Sequence, residues 1–288
     1  MADPDSTGLP LVILAAGRAR RYGGLKPLAP VGPHGEAVID LVASDALAGG
    51  FDTIVLVLGP ETGPAIRYHV EQTWPAEVDV RFATQPAPLG TVHAVLCASG
   101  HVEGRPYAVG NADDVYGTAA CNLLARHLRD AGPANALVGF RLADAVIGQS
   151  PVTRGICSVG DDGMLVEVDE RRKVRRTPDG DFEVGDGRQP ARLSPDERVS
   201  MNLWGFTPAF HAILKAVMEA AVDASEEREV LLPEAVAGSL SSAGFAVLPA
   251  AGRCVGVTHP DDLTLVQDEL ERQVAAGERP AQLWTSVR

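Results

Sequence analysis

Residues 11–27 read LVILAAGRARRYGGLKP, which sets Arg18, Arg20, Arg21 and Lys26 around a glycine-rich turn directly after an apolar run. Glycines let a backbone approach a ligand closely, and guanidinium and ammonium groups are matched to anions. The apolar run, residues 11–14, is continuous rather than alternating, the pattern of a strand buried on both faces of a parallel sheet. The turn then lies at the carboxyl end of that strand, where open α/β sheets bind ligands. A second grouping, Asp113-Asp114, follows the strand-like residues 107–110. Two acids there can favour a helix start or bind a cation.

These residues must be held by elements, and the sequence alternates them. Strand-like runs at 53–58, 78–83, 107–110 and 136–140 are separated by helix-like runs at 37–48, 64–72, 91–99 and 119–131, several ending at glycine. That alternation predicts an α/β fold with a mostly parallel sheet flanked by helices. Residues 160–198 are rich in Asp, Arg, Gly and Pro, with little apolar content from Arg171 onward, and read as an exposed hairpin and mobile loop. Beyond them come a strand at about 200–206, helices at 208–221 and 233–240, strands at 245–248 and 254–257, and a terminal helix from 260 to about 276.

The chain has 288 residues, 45% of them hydrophobic, and a formal net charge of -13. It can build a substantial core, and its acidity argues against nucleic-acid binding, since the global field repels a phosphate backbone. A small anionic substrate needs only a local basic pocket. Cys97, Cys121, Cys157 and Cys254 form no CxxC pair and read as buried thiols in a reducing compartment. With neither a signal-like start nor an apolar run of membrane-spanning length, a soluble cytoplasmic protein with no membrane partner is expected.

Two phosphate motifs fail against the opening turn. A P-loop needs Gly-Lys followed by Ser or Thr, but Lys26 lies between Leu25 and Pro27; a dinucleotide fingerprint needs glycine where Ala19 stands. What remains, L-A-A-G-x(3)-R-x-G-G-x-K-P over residues 14–27, resembles the first motif of the sugar-phosphate nucleotidylyltransferases, the NDP-sugar pyrophosphorylases of the GT-A-like nucleotidyltransferase superfamily. Further segments are similar in the same order: residues 85–94 (QPAPLGTVHA), 111–114 (NADD), 199–206 (VSMNLWGF) and 256–262 (GVTHPDD). The resemblance spans about residues 11–265.

The resemblance implies a Rossmann-like, GT-A-like domain over residues 1–288. Its nucleotide-binding part would cover about 9–140, a smaller β-rich sugar-phosphate-binding part about 141–265, and a C-terminal helix and tail 266–288. It implies transfer of NMP from an NTP to a sugar 1-phosphate, with Mg2+ as cofactor and pyrophosphate as by-product, and leaves base, sugar and oligomeric state open. Arg21, Lys26 and Asp113 would be catalytic, with Asp113 also binding the metal. Leu14, Ala15, Ala16, Gly17, Gln85, Gly90 and Thr91 would bind the nucleotide, and Asn111, Glu170 and Asn202 the acceptor. Such chemistry needs no protein nucleophile, only positioning of two polyanions and charge neutralisation. Arg18 and Arg20 read as solvated, and His93 and Trp204 as structural; for Asp114 a local structural role and a direct one both stand.

Departures are also visible. Ala19 and Arg20 stand where the family has glycine and Ser or Thr, and Val255 falls where many relatives place a second metal-binding aspartate. Either Asp113 holds the metal with water and phosphates, or Asp261 or Asp262 reaches in; the first is preferred, because first-turn acids commonly serve the helix dipole. Transfer to an alcohol phosphate or a molybdopterin-type acceptor, and a sensor that has lost catalysis, are the competing readings.

Overall fold

The computed structural model of the chain describes residues 8–17, 25–102, 104–130, 134–223, 229–257 and 262–286. Arg21 and Asp261 lie outside the described residues, as do Arg18, Ala19 and Arg20. The first half runs β1 (Pro10–Ala15), a 3-10 turn at Lys26–Leu28, α1 (Val38–Ala48), β2 (Thr53–Leu58), α2 (Gly63–Thr73), β3 (Val80–Thr84), α3 (Thr91–Cys97), α4 (Ser99–Val102), β4 (Tyr107–Asn111), β5 (Asp114–Val115) and α5 (Thr118–Asp130). The second half runs β6 (Asn135–Arg141), α6 (Leu142–Ala145), β7 (Val152–Val159), β8 (Leu165–Arg176), β9 (Phe182–Val184), β10 (Arg192–Leu193), β11 (Arg198–Phe206), α7 (Pro208–Asp223), α8 (Leu232–Ser239), β12 (Phe245–Pro249), β13 (Val255–Gly256) and α9 (Leu263–Ala275).

Strands β3, β2, β1 and β4 lie side by side and parallel. Their apolar runs are continuous because helices cover both faces. Leu11 and Ile13 of β1 face a core that includes α1, α5 and α9, whereas Val12 faces one that includes α3, α7 and α8. The fold is thus mixed α/β, with a central mostly parallel sheet flanked by helices, as a GT-A-like nucleotidyltransferase requires. Trp204 is fully buried in the second core, beside Phe206 and Phe245.

One strand joins the two halves. Residues 198–200 of β11 pair with β7, and residues 204–206 pair with β4 on the same edge, while β6 pairs with both stretches on the other. Between them the register shifts, and Asn202 takes the left-handed conformation, φ 59°, uncommon for a non-glycine residue. Because β4 and β7 cannot both occupy that edge, a gap opens between them. The Tyr116 phenol fills its floor: it accepts from the Asn111 N–H at 2.7 Å and donates to the Met201 carbonyl at 3.0 Å.

Residues 160–198, expected as an exposed hairpin and mobile loop, form the β8–β9 hairpin and a further short strand, β10. Leu165–Arg176 is a single strand, paired to β7 and β9, with a bulge where Lys173 takes φ 56°. Its inward peg is a charged residue: Arg171, 2% exposed, binds Asp186 through Nε at 2.7 Å and Nη2 at 3.1 Å, and also reaches the Arg188 and Pro190 carbonyls. A search for apolar periodicity passes over a core position filled by an ion pair.

A second buried ion pair ties down the C-terminus. Arg279 grips Asp45 of α1 with bonds of 2.8 and 2.7 Å, the two side chains being 4% and 3% exposed, and Trp284 packs on Trp74 with centroids 5.1 Å apart. Burial pushes the Asp45 carboxyl up against the opposing pull of Arg279. Removing the arginine leaves an uncompensated buried acid, so Arg279→Ala should cost about 3 kcal/mol or more in urea unfolding, and adding Asp45→Asn should recover part of it. Equal stability of Arg279→Ala and wild type would contradict this account.

Candidate functional site

Two cavities open at the carboxyl ends of the parallel strands. The first, about 610 Å³, is bordered by Leu14, Ala16 and Gly17 after β1, by the turn after β2, and by Gln85, Gly90 and Thr91. Gly59 belongs to that second turn, and a Cβ there would lie 2.9 Å from the Ala16 carbonyl, so the two turns meet backbone to backbone. Gln85 donates through Nε2 to the Gly90 carbonyl at 2.9 Å, which leaves its own carbonyl oxygen without a protein partner among the described residues. Ala15 differs from its neighbours: its side chain belongs to the core on the α1 side, and its carbonyl accepts from Thr62 Oγ1 at 3.5 Å.

Gly90 and Thr91 also hold the cavity wall. Gly90 has φ 98°, and a Cβ there would stand 2.3 Å from the Val230 carbonyl, so only glycine fits. Thr91 Oγ1 accepts the first helical N–H of α8, from Leu232, at 2.7 Å, satisfying an orphan donor from another element. His93 is engaged locally, with Nδ1 3.1 Å from the Ala87 carbonyl and 3.3 Å from Gln85 Nε2.

The second cavity, about 790 Å³, lies over the gap between β4 and β7. Asn202, Glu170 and Asn111 border it, together with Ser200, Asp169 and Glu234. Asn202 Oδ1 accepts from Trp204 Nε1 at 3.3 Å, and Glu170 pairs with Arg172 at the exposed rim. Arg154 of β7, a residue in no sequence motif, also borders it, with its guanidinium held by the Ala145 and Thr153 carbonyls.

The cavities meet at Asn111 and Asp113, which border both. Lys26, raised on its 3-10 turn, puts Nζ 3.7 Å from Asp113 Oδ2. Asp114 also borders the larger cavity, with one oxygen accepting from Asn111 Nδ2 at 2.9 Å and the other packed against Gly256, where an added Cβ would come within 2.2 Å of it. Burial raises the Asp113 carboxyl, with Lys26 opposing, and burial followed by repulsion from Asp113 raises Asp114 to about 6.

Of the C-terminal segment 256–262, residues 258–261 lie outside the described residues, and what precedes them borders the cavity. β13 pairs with β5, setting Gly256 opposite Asp114 and Val255 opposite Val115, and Val257 borders the larger cavity. Val255 is buried and apolar, so it supplies no ligand. Asp262 borders a separate pocket of about 10 Å³, with Arg154 and Ser150, and makes no side-chain cap on α9. Among the described residues, no group of three or more His, Cys, Asp or Glu side chains could hold a metal ion.

The raised Asp114 has a testable sign. Between its ordinary value of 3.8 and about 6, the folded chain keeps a proton that the unfolded chain has lost, so stability falls as pH rises through that window and stays lower above it. Asp114→Asn keeps an acceptor for Asn111 and removes the titration. Its melting temperature should exceed that of wild type at about pH 7.5, with the advantage gone at about pH 4. A pH-independent difference would exclude charge burial as its cause.

Residues 11–149, from β1 to the approach of β7, match the model of the MobA-like NTP transferase domain. No curated protein matches the chain significantly. The matched stretch carries the whole β1–β4 sheet, Lys26, Gln85 and the Asn111–Asp114 turn, and that similarity supports placing the chain among the nucleotidyltransferases.

Proposed function

We propose that the protein transfers NMP from an NTP to a sugar 1-phosphate, releasing pyrophosphate. The carrying observation is that two cavities, one after β1 and β3 and one over the β4–β7 gap, share Asn111 and Asp113 at their junction. A reaction joining two phosphates needs such a junction, with cationic and metal-binding groups at the point of contact. The turn at 16–17 would offer backbone amides to the triphosphate, and Gln85 would meet the base with its free carbonyl oxygen. Lys26 would follow the charge that builds up as the acceptor oxygen attacks the α-phosphorus in line and pyrophosphate leaves.

Asp113 fits Mg2+ by its chemistry: this ion is commonly held by one or two carboxylates, with waters and phosphates completing its shell. When bound, the ion would neutralise phosphate oxygens. Asp114 would support Asn111 and the junction, since one of its oxygens already accepts from Asn111 Nδ2.

The acceptor cavity favours a hydroxyl-rich ligand. Glu170, Asn202 and Ser200 can each accept a hydroxyl hydrogen bond, and Asp169 and Glu234 add carboxylates to the lining. The MobA-like family also uses other acceptors, which keeps a non-sugar phosphate as the second reading. A panel of the four common NTPs against sugar 1-phosphates and non-sugar phosphates, read as pyrophosphate release, decides between them. Release should require both a divalent metal and a phosphorylated acceptor; nucleotide binding without turnover across the panel would favour a sensor.

Two variants test the junction. Lys26→Ala should lower kcat on the order of a hundredfold or more, as for other removed electrostatic donors. Asp113→Asn should abolish metal-dependent turnover, whereas Asp262→Asn should leave the metal requirement unchanged. Near-normal kcat in both Lys26→Ala and Asp113→Asn would remove the junction as the reaction centre.

A further inference from the structure

The larger cavity is bordered by four basic side chains, and their partners differ in kind. Lys26 lies 3.7 Å from Asp113, Arg172 3.3 Å from Glu170, and Arg188 2.8 Å from Asp169. Arg154 has no carboxylate within ion-pair distance among the described residues. Its guanidinium is nevertheless fixed: Nε and Nη2 donate to the Ala145 carbonyl at 3.2 and 2.8 Å, and Nη1 donates to the Thr153 carbonyl at 2.8 Å.

Neutral carbonyls orient an arginine without cancelling its charge. Three of the five guanidinium N–H groups are thus used, and two remain. The side chain is half-buried, and burial works against its charged form, while Asp114, Asp113 and Asp262 favour that form from beyond ion-pair distance. The chain therefore holds a pre-oriented cation, partly out of water, beside the Asn111–Asp113 junction, and leaves its closest charge partner to be supplied. A guanidinium fork with two free donors is matched to a phosphate or carboxylate.

The backbone explains the placement. Gly155 is the last β7 residue paired with β11, opposite Ser200, whereas Arg154 next to it pairs only with Arg171 of β8 and so lies at the gap. Arg154 is therefore on the β7 lip, facing the β4 lip that carries Asn111 and Asp113.

We infer that Arg154 is the anchor for the phosphate of the acceptor, so that the enzyme selects acceptors bearing a phosphoryl group. The inference rests on the nucleotidyl-transfer reading for the identity of the ligand, but not for the presence of an anion site. Inorganic phosphate serves as the probe. It is titrated calorimetrically at low ionic strength into the full chain, first alone and then loaded with whichever α,β-methylene NTP analogue binds.

Wild type should bind phosphate in the loaded state. Arg154→Gln should weaken that binding by at least about tenfold, the loss expected for a charge-assisted bidentate contact, and leave analogue affinity within about twofold. Unchanged phosphate affinity in a folded Arg154→Gln variant overturns the inference, as does a parallel loss of analogue affinity, which would assign Arg154 to the nucleotide. Absence of phosphate binding to wild type in either state also overturns it. If no analogue binds wild type, the nucleotidyl-transfer reading fails, and the titration of the unloaded chain judges the anion site by the same tenfold criterion.

Should Arg154→Gln not fold, the wild-type chain itself decides. Phosphate must then slow phenylglyoxal modification of Arg154, followed by mass spectrometry of the digested chain. Equal modification with and without phosphate overturns the assignment.

Discussion

A single strand edge must serve two partners, and the rest of the site follows from that constraint. β4 belongs to the parallel sheet and β7 to the antiparallel extension, yet both claim the same edge of β11. A ladder cannot be shared at one position, so the two strands take successive stretches and leave the backbone between them unpaired. Unpaired buried peptide groups are costly unless another group satisfies them. Tyr116 answers for two of them with one hydroxyl, and the register shift at Asn202 absorbs the geometry. The resulting gap is a polar-lined opening inside an otherwise apolar core. It also sets Asn111 and Asp113 on one lip and Arg154 on the other, which neither strand could do alone.

Charge at this opening is balanced locally, against the trend of the chain. A molecule of net charge -13 repels polyanionic ligands at long range, so attraction must come from groups that solvent and salt screen poorly. Lys26 and Arg154 supply it, and their half-buried setting strengthens each interaction they make. Asp113 and Asp114 offset them, at the expense of raised carboxyls. The four groups therefore form a nearly neutral cluster whose members are held by different elements: a 3-10 turn, β7, and the turn after β4. On the proposed reading, an arriving phosphate would meet cations already oriented, with little reorganisation of the protein needed to receive it.

How much of this was legible in the sequence depends on whether the physics was local. β1 and β2 could be read because burial on both faces demands continuous apolar runs, and those runs are LVIL and TIVLVL. Asp113 could be read because it follows the end of β4 by two residues, and Lys26 because it closes the glycine-rich motif that follows β1. Gly90 could be found but not explained: its constraint comes from the Val230 backbone, 140 residues away in the chain. In 160–198 the exposed hairpin was legible but its buried anchor was not: Arg171 pairs with Asp186 beyond β9, and composition cannot distinguish a paired arginine from a solvated one. Arg154 carried no signal, since a lone arginine between Thr153 and Gly155 acquires meaning only when β7 is laid along β11.

The same distinction bears on why the match to a known domain stops near residue 149. On the nucleotide side the contacts that shape the cavity are largely backbone approaches: Gly59 against Ala16, and Gly90 against Val230. Substitution there moves main chain, so a recognisable residue pattern is tied to the fold itself. On the acceptor side the lining comes from side chains projecting from ladder positions such as Arg154, Glu170 and Ser200. A ladder is held by peptide hydrogen bonds that do not depend on which side chain points into the opening. The Arg171–Asp186 peg and the Tyr116 bridge keep the strands in place beneath those positions. On the proposed reading, the acceptor face could thus be rewritten residue by residue without disturbing the scaffold, and the identity of the acceptor would be encoded in β7, β8 and β11 rather than in the glycine-rich turn near the start of the sequence.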